Sequence, residues 1–213
     1  MDLPFKHIKV VIFDCDGVLF DSRQANINYY NHLLTKFGLP SMKEAQVEYI
    51  HMHTAEESVR FLFKDTPYLE RAQQYRMNMD YMPFIKDMTP EPGAKELLAI
   101  LKPRFFLAMA TNRSNTISDV IKTHGLDDFF DMVVSCLDVR NPKPHPEPIN
   151  KILRHFDLAP SQGMYVGDSA VDQETARAAG VVFVAYKNEK LEADYHVARL
   201  LDIARILGCL QID

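Results

Sequence analysis

The sequence predicts an α/β domain, a doubly wound parallel sheet with an all-helical insertion after its first strand. Three observations predict it. Short apolar runs rich in β-branched residues recur along the chain, and helical patterns separate most of them. The stretch from about Asp21 to about Pro83 carries helical patterns and no strand. Near-continuous apolarity marks a strand covered on both faces. Strand alternating with helix marks a parallel sheet with helices packed on it.

The elements follow in order. Ile8-Lys9-Val10-Val11-Ile12-Phe13 is the first strand and stops at Asp14. Residues 105–110, 132–135, 164–166 and 181–186 repeat its character and are the later strands. Between them, residues 93–102 carry Leu97, Leu98 and Leu101, and residues 114–124 end at Gly125, a C-terminal cap. Residues 170–179 place Ala176, Ala178 and Ala179 before Gly180, small enough for a helix to lie close to a sheet. Within the insertion, Ser22 is expected to cap a helix whose apolar face is Ile27, Tyr30, Leu34 and Phe37, closed by Gly38. Residues 43–50 form a second stretch. Thr54 and Glu57 have capping-box spacing ahead of Val59, Leu62 and Phe63. Pro67 suits a first helical position, with Tyr68, Ala72, Tyr75, Met79 and Met82 along one face. The expected division is a core of residues 1–19 and 84–213 and a helical unit of residues 20–83.

Composition narrows the function classes. The chain has 213 residues, 47% hydrophobic and 25% charged, which permits a sizeable core. A net charge of −5 without a Lys or Arg run argues against a nucleic-acid partner. Small anionic substrates stay compatible, because a local site can be positive on a negative protein. Cys15, Cys136 and Cys209 are too few and too scattered for a disulfide framework or a zinc site. They read as small buried hydrophobes, and their odd number suits a reducing compartment. Asp2 and Pro4 precede the first strand without the long apolar core of a signal peptide, and no stretch is long enough to span a bilayer. The expected location is the cytoplasm, with no membrane partner. Oligomeric state is not legible.

The chemistry sits where the strands end. Asp14-Cys15-Asp16-Gly17 follows the first strand, and in open α/β sheets ligands bind beyond the carboxyl ends of strands. Two close carboxylates can divide labour, one attacking or binding metal while the other moves a proton. Thr111 and Asn112 follow residues 105–110, where hydroxyl, amide and backbone N–H groups can hold a phosphate, or simply cap the next helix. Lys143 lies among Pro142, Pro144, Pro146 and Pro148, which stiffen the loop and can hold one cation in place. Asp168 and Asp172 follow residues 164–166 and can crowd acidic oxygens near one point, an environment that Mg²⁺ prefers. Taken singly, each station has a plainer reading as a solvated turn, a helix cap or a surface lysine.

Taken together and in order, they resemble the haloacid dehalogenase superfamily, whose motifs run DxD, T or S, K, then GDxxxD. Cys15 is an uncommon spacer in the first motif. The helical insertion directly after that motif resembles the small helical cap of phosphoglycolate-phosphatase and β-phosphoglucomutase members. The resemblance implies a Mg²⁺-dependent phosphatase acting on a small phosphorylated metabolite, phosphoglycolate-like. It implies that Asp14 attacks phosphorus and forms an aspartyl phosphate. It implies that Asp16 protonates the leaving oxygen and then activates water. Mg²⁺ would lie between the Asp14 carboxylate, the Asp16 backbone carbonyl and Asp168, with Asp172 supporting from behind. Thr111, Asn112 and Lys143 would bind phosphate oxygens, Lys143 also shielding the charge between Asp14 and substrate.

Asp16 argues against a dehalogenase, which has no leaving oxygen to protonate. Phosphonatases need a cap lysine, for which Lys36, Lys43 and Lys64 are available and unmarked. A phosphomutase uses the same two aspartates and stays open as the alternative. Signalling receivers are shorter, lack a helical insertion and carry their phosphorylated Asp on a later strand. A phosphate-binding protein without turnover is disfavoured by the filled catalytic positions. In similar cap-bearing enzymes a connection between cap helices contacts the non-phosphate part of the substrate. His51-Met52-His53-Thr54 is such a connection here, with His53, then His51, as the expected contact. The plainer reading is an N-cap at Thr54 beside solvated histidines.

Overall fold

A computed structural model describes residues 5–210. Asp2 and Pro4 lie outside that range. The first strand, β1 (Val10–Phe13), is followed by the short β2 (Phe20–Asp21) and five helices: α1 (Arg23–Lys36), α2 (Glu44–Met52), α3 (Ala55–Phe63), α4 (Leu69–Met77) and α5 (Met82–Ile85). The chain then continues as β3 (Thr89–Pro90), α6 (Ala94–Leu101), β4 (Phe106–Ala110), α7 (Ile117–Thr123), β5 (Met132–Val134) and α8 (Glu147–His155). It closes with β6 (Gly163–Gly167), α9 (Ala170–Ala179), β7 (Val182–Tyr186), β8 (Tyr195–Val197) and α10 (Leu201–Ile206). Among the described residues no helix is long and apolar enough to cross a membrane.

Six strands form one parallel sheet in the order β5-β4-β1-β6-β7-β8. The chain runs outward from β1 through β4 to β5, then returns to the other side of β1 and runs out again. That reversal is the doubly wound topology the sequence predicts, and β1 stands at its switch point. Successive β1 residues feed opposite faces. Val11 and Phe13 pack with Leu97, Leu98, Leu107, Val120 and Ile203 on one side. Val10 and Ile12 pack with Ile149, Ile152, Ala176 and Ala179 on the other. The first of these clusters continues into the helical insertion through Tyr29, Leu33, Ile50 and Leu62. Register aligns Phe13 with Met109 on β4 and with Val166 on β6, so the three strands reach their carboxyl ends side by side.

Several expectations change in detail. β2 and β3 form a separate antiparallel pair, Phe20 opposite Pro90 and Asp21 opposite Thr89, at the point where the chain leaves and re-enters the core. Two-residue strands carry no periodicity to read. The helix expected over residues 114–124 begins only at Ile117. Ser22 occupies the N-cap position of α1 without a side-chain cap bond; Asp21 accepts from the Arg23 N–H instead, at 3.1 Å. The buried face of α1 is wider than expected, with Ala25, Tyr29 and Leu33 joining Tyr30 and Leu34, while Ile27 is half-buried. Pro67 lies two residues ahead of α4, and Met79 and Met82 fall beyond its end. Thr54 does cap: it accepts from the Glu57 N–H, whose carboxylate accepts from the Thr54 N–H at 2.9 Å. Cys15 is buried, while Cys136 and Cys209 are half-buried, and all three are free thiols.

Candidate active site

Asp14 leaves β1 with its N–H donated to Val166 on β6, so its backbone is still part of the sheet. Its Oδ1 accepts from the Cys15 N–H at 2.7 Å and from Lys143 Nζ at 2.9 Å. Those two donors fix the plane of the carboxylate. Burial pushes Asp14 up to about 7 in spite of Lys143, with the charges of Asp172 and Asp16 adding to the rise.

Lys143 is 4% exposed, so the proline-rich loop does hold its cation inside the protein. Its Nζ donates to Asp172 Oδ1 at 2.7 Å and to Tyr165 Oη at 3.0 Å. Burial would pull the Lys143 ammonium down, but Asp14 and Asp172 outweigh it and keep the group charged. Tyr165 in turn donates to Asp172 and reaches the Ala110 carbonyl, tying β6 to the end of β4. Asp172 is fully buried, yet Lys143 and the hydroxyls of Ser169 and Tyr165 hold its carboxyl below the usual range.

Asp168 completes the acidic side. One oxygen each from Asp14, Asp168 and Asp172 lie within 4.8 Å of one another. Burial pushes Asp168 up to about 8, helped by the charges of Asp172 and Asp14. Gly17, at φ +79°, presses its backbone against this carboxylate: a Cβ there would fall 2.1 Å from Asp168 Oδ2. Gly167 is equally confined, since a Cβ would fall 2.3 Å from the Cβ of Asp172. Three carboxyl groups crowd one ammonium, so that Asp14 and Asp168 keep their protons to unusually high pH, and every donor atom on offer is a hard oxygen. Such a donor set fits Mg²⁺.

The end of β4 supplies Thr111, Asn112 and Arg113. The Thr111 hydroxyl accepts from the Arg113 N–H at 3.1 Å, a local turn bond. Asn112 differs from the expectation. Its side-chain amide clasps the main chain of Lys143, donating to the carbonyl and accepting from the N–H at 3.1 Å each. That side chain positions the lysine loop, which leaves the Asn112 backbone N–H as its group for a ligand. Asp16 is engaged by a cation of its own. Both its oxygens meet Arg113, with Nε at 2.8 and 3.1 Å and Nη2 at 2.7 Å. Burial would raise Asp16, but the Arg113 charge and hydrogen bonds outweigh it and hold the carboxyl below its ordinary range. The Asp16 carboxylate is therefore occupied by a guanidinium, which leaves its backbone carbonyl as the group available to a metal.

Above these residues lies a cavity of about 590 Å³, walled on the other side by the helical insertion through Asn26, Tyr29, Tyr30, His51, His53 and Tyr81. His53 is stacked on Tyr49 at 3.8 Å, with Nδ1 2.8 Å from the Tyr49 carbonyl. His51 lies in the last turn of α2, and its Nε2 is buried without a hydrogen-bond partner among the described residues. Burial lowers His51, so the ring is neutral at pH 7.

The structure thus brings Asp14, Asp16, Thr111, Asn112, Lys143 and Asp168 to one cavity, with Asp172 behind them. Arg113, Tyr165 and Tyr81 are absent from the sequence reading, as are Asn26 and Tyr29 on the cavity wall. Arg113 had one available signal, its place two residues after Thr111 at a strand end.

The chain is similar to known proteins over most of its length. A family model described as haloacid dehalogenase-like hydrolase matches residues 11–186. A phosphoglycolate phosphatase of Chromobacterium violaceum is 30% identical over 193 residues, covering 86% of each chain. The pyrophosphatase PpaX of Halalkalibacterium halodurans is 28% identical over 213 residues, covering 94% of this chain and 97% of that one. A crystal structure of a HAD-superfamily hydrolase, subfamily IA, variant 1, from Geobacter sulfurreducens PCA superposes with a TM-score of 0.78 at 39% identity, covering 95% of this chain and 97% of that one.

Proposed function

The chain belongs to the haloacid dehalogenase-like hydrolase family, and from that premise we propose that it is a Mg²⁺-dependent phosphatase of small phosphorylated metabolites, phosphoglycolate-like, working through an aspartyl phosphate on Asp14. The observation that carries the reading is the Asp14 carboxylate, buried at a strand end and held by Lys143 and the Cys15 N–H. Relatives named phosphoglycolate phosphatase and pyrophosphatase support the substrate class. Residues 20–83 are the cap that selects the substrate, over a catalytic core of residues 1–19 and 84–213. The cytoplasm is the proposed location.

Asp14 attacks phosphorus as the bond to the leaving oxygen breaks, and that oxygen takes a proton from Asp16, which has to leave Arg113 and gain that proton from solvent before the step. Asp16 then removes a proton from water, the water oxygen attacks phosphorus, and the bond to Asp14 breaks to release phosphate. Thr111, the Asn112 N–H and Lys143 hold the phosphate oxygens throughout. Lys143 reduces the repulsion between an anionic nucleophile and an anionic substrate. Asp14, the Asp16 carbonyl and Asp168 would hold Mg²⁺, with Asp172 behind them, and the ion would supply positive charge to the phosphate oxygens. The experiment is phosphate release from a panel of small phosphate esters with Mg²⁺ and with excess chelator. Turnover that needs Mg²⁺ and disappears in Asp14→Asn is expected. Turnover in chelator, or in Asp14→Asn, sinks the reading.

A further inference from the structure

Arg113 is the cation that neither the motifs nor the proposed steps use. It is 8% exposed, and its Nε and Nη2 form a fork closed on both oxygens of Asp16. Behind the fork, Nη1 donates to Thr116 at 3.3 Å and Nη2 to Tyr81 Oη at 3.1 Å. The guanidinium also lies 5.0 Å from the centre of the Tyr81 ring. The back of the group is anchored on core and cap, and both Arg113 and Asp16 line the cavity. What the fork holds is a carboxylate.

A carboxylate with both oxygens on a guanidinium is in no position to serve a leaving oxygen. Asp16 must leave the fork for the proton transfers assigned to it. Leaving it empty strands a buried, unpaired cation, which is strongly unfavourable. An incoming oxyanion removes that difficulty, because it replaces one bidentate partner by another. The other cavity cations are committed or outside: Lys143 is held by Asp14 and Asp172, Arg23 by Glu44 and Glu48, and Lys190 is exposed. The geometry points to Arg113 as the specificity residue that takes a second oxyanion on the leaving half of the substrate, carboxylate or phosphate, and by that exchange frees Asp16. This assignment rests on the phosphatase reading.

The test compares kcat/KM for three probes at saturating Mg²⁺: phosphoglycolate, inorganic pyrophosphate and ethyl phosphate. The wild-type chain is expected to prefer one of the two anionic leaving groups over the neutral one by roughly 10²-fold, the scale of losing a charge-assisted bidentate contact. The arm preferred tells carboxylate from phosphate. Arg113→Gln is expected to bring that ratio close to one, and Arg113→Lys, which keeps the charge without the fork, to lower it about tenfold. A purely structural role would slow all three probes alike and leave the ratio unchanged. That result, or a wild-type chain that treats anionic and neutral esters equally, overturns the assignment; the second holds even where a variant fails to fold. Turnover of none of the probes by the wild-type chain removes the phosphatase reading, and the assignment with it. Turnover without anion preference removes only the assignment.

Discussion

The core and the cap face the same cavity but spend their polar groups differently. On the core side, Asp14, Lys143, Asp172 and Tyr165 form a closed, buried network in which Lys143 serves three partners. On the cap side, Arg23 pairs with Glu44 and Glu48 at an exposed position, His53 stacks on Tyr49, and His51 Nε2 is buried with no partner among the described residues. A saturated network holds reacting groups in one geometry, which chemistry on a common phosphate requires. A wall with unspent polar atoms fits a part of the site that must adapt to the rest of the substrate. Under the proposed function, the difference would separate the residues that do the reaction from those that choose its substrate.

The largest expected effect breaks the core network. Lys143→Met leaves Asp14 and Asp172 buried without their cation, and removing one partner of a buried charge pair costs about 3–5 kcal/mol. Arg23→Met removes an exposed pair, worth about 0–1 kcal/mol. Urea unfolding of both variants checks the contrast; equal losses would mean the two sides are not built differently.

The second effect concerns pH and metal. Asp14 and Asp168 lie at about 7 and about 8 in the folded chain, against an ordinary 3.8. Raised carboxyls contribute stability that is fully present below the unfolded value and is lost as pH rises through the folded one. The stability that Asp14 and Asp168 contribute to the metal-free protein should therefore be lost between about pH 4 and about pH 8, where the folded chain must give up those protons. The lowered His51 and His124 act in the opposite sense below their ordinary 6.5. Asp16 and Asp172 are lowered, so their contribution is lost only on acidification below the ordinary carboxylate range and does not mask this window. Mg²⁺ bound to these carboxylates would take the place of the protons. Its gain in Tm should grow with pH across that window. A gain that is flat or falls with pH would detach Asp14 and Asp168 from the metal.

How much of this was legible in the sequence depends on where each residue sits. Asp14, Lys143, Asp168 and Asp172 could be found because strand ends and a proline run mark their positions. Their grouping at the switch point follows from the strand order, which the apolar runs do not specify. Arg113 could not be found the same way. Its partner Asp16 is 97 residues away, and beside Thr111 an arginine reads like any solvated one. Tyr165 occupies an inward position of β6 and reads as core, although its hydroxyl is part of the charged network. Asn112 was read as a phosphate ligand because of its place, whereas its side chain faces the backbone of Lys143. The pair β2 and β3 is too short for any pattern.

The smallest effect separates the two cap histidines. His51 has the buried, unpartnered nitrogen, so His51→Ala should lower kcat/KM for the best natural ester several-fold more than for nitrophenyl phosphate. His53→Ala should act less, because Tyr49 already holds the ring. The reverse order, or equal effects on both esters, would return substrate reading to His53 or remove it from this loop.

The central claim is a covalent phosphate on Asp14, and trapping tests it most directly. The wild-type chain is mixed with radiophosphate-labelled substrate and Mg²⁺, quenched in acid within one turnover, and digested. Label should remain on the protein, be released by hydroxylamine as an acyl phosphate is, and map to the peptide carrying Asp14; Asp14→Asn should retain none. Phosphate released in a single turnover with no label on the wild-type chain, or label that persists in Asp14→Asn, would contradict the account.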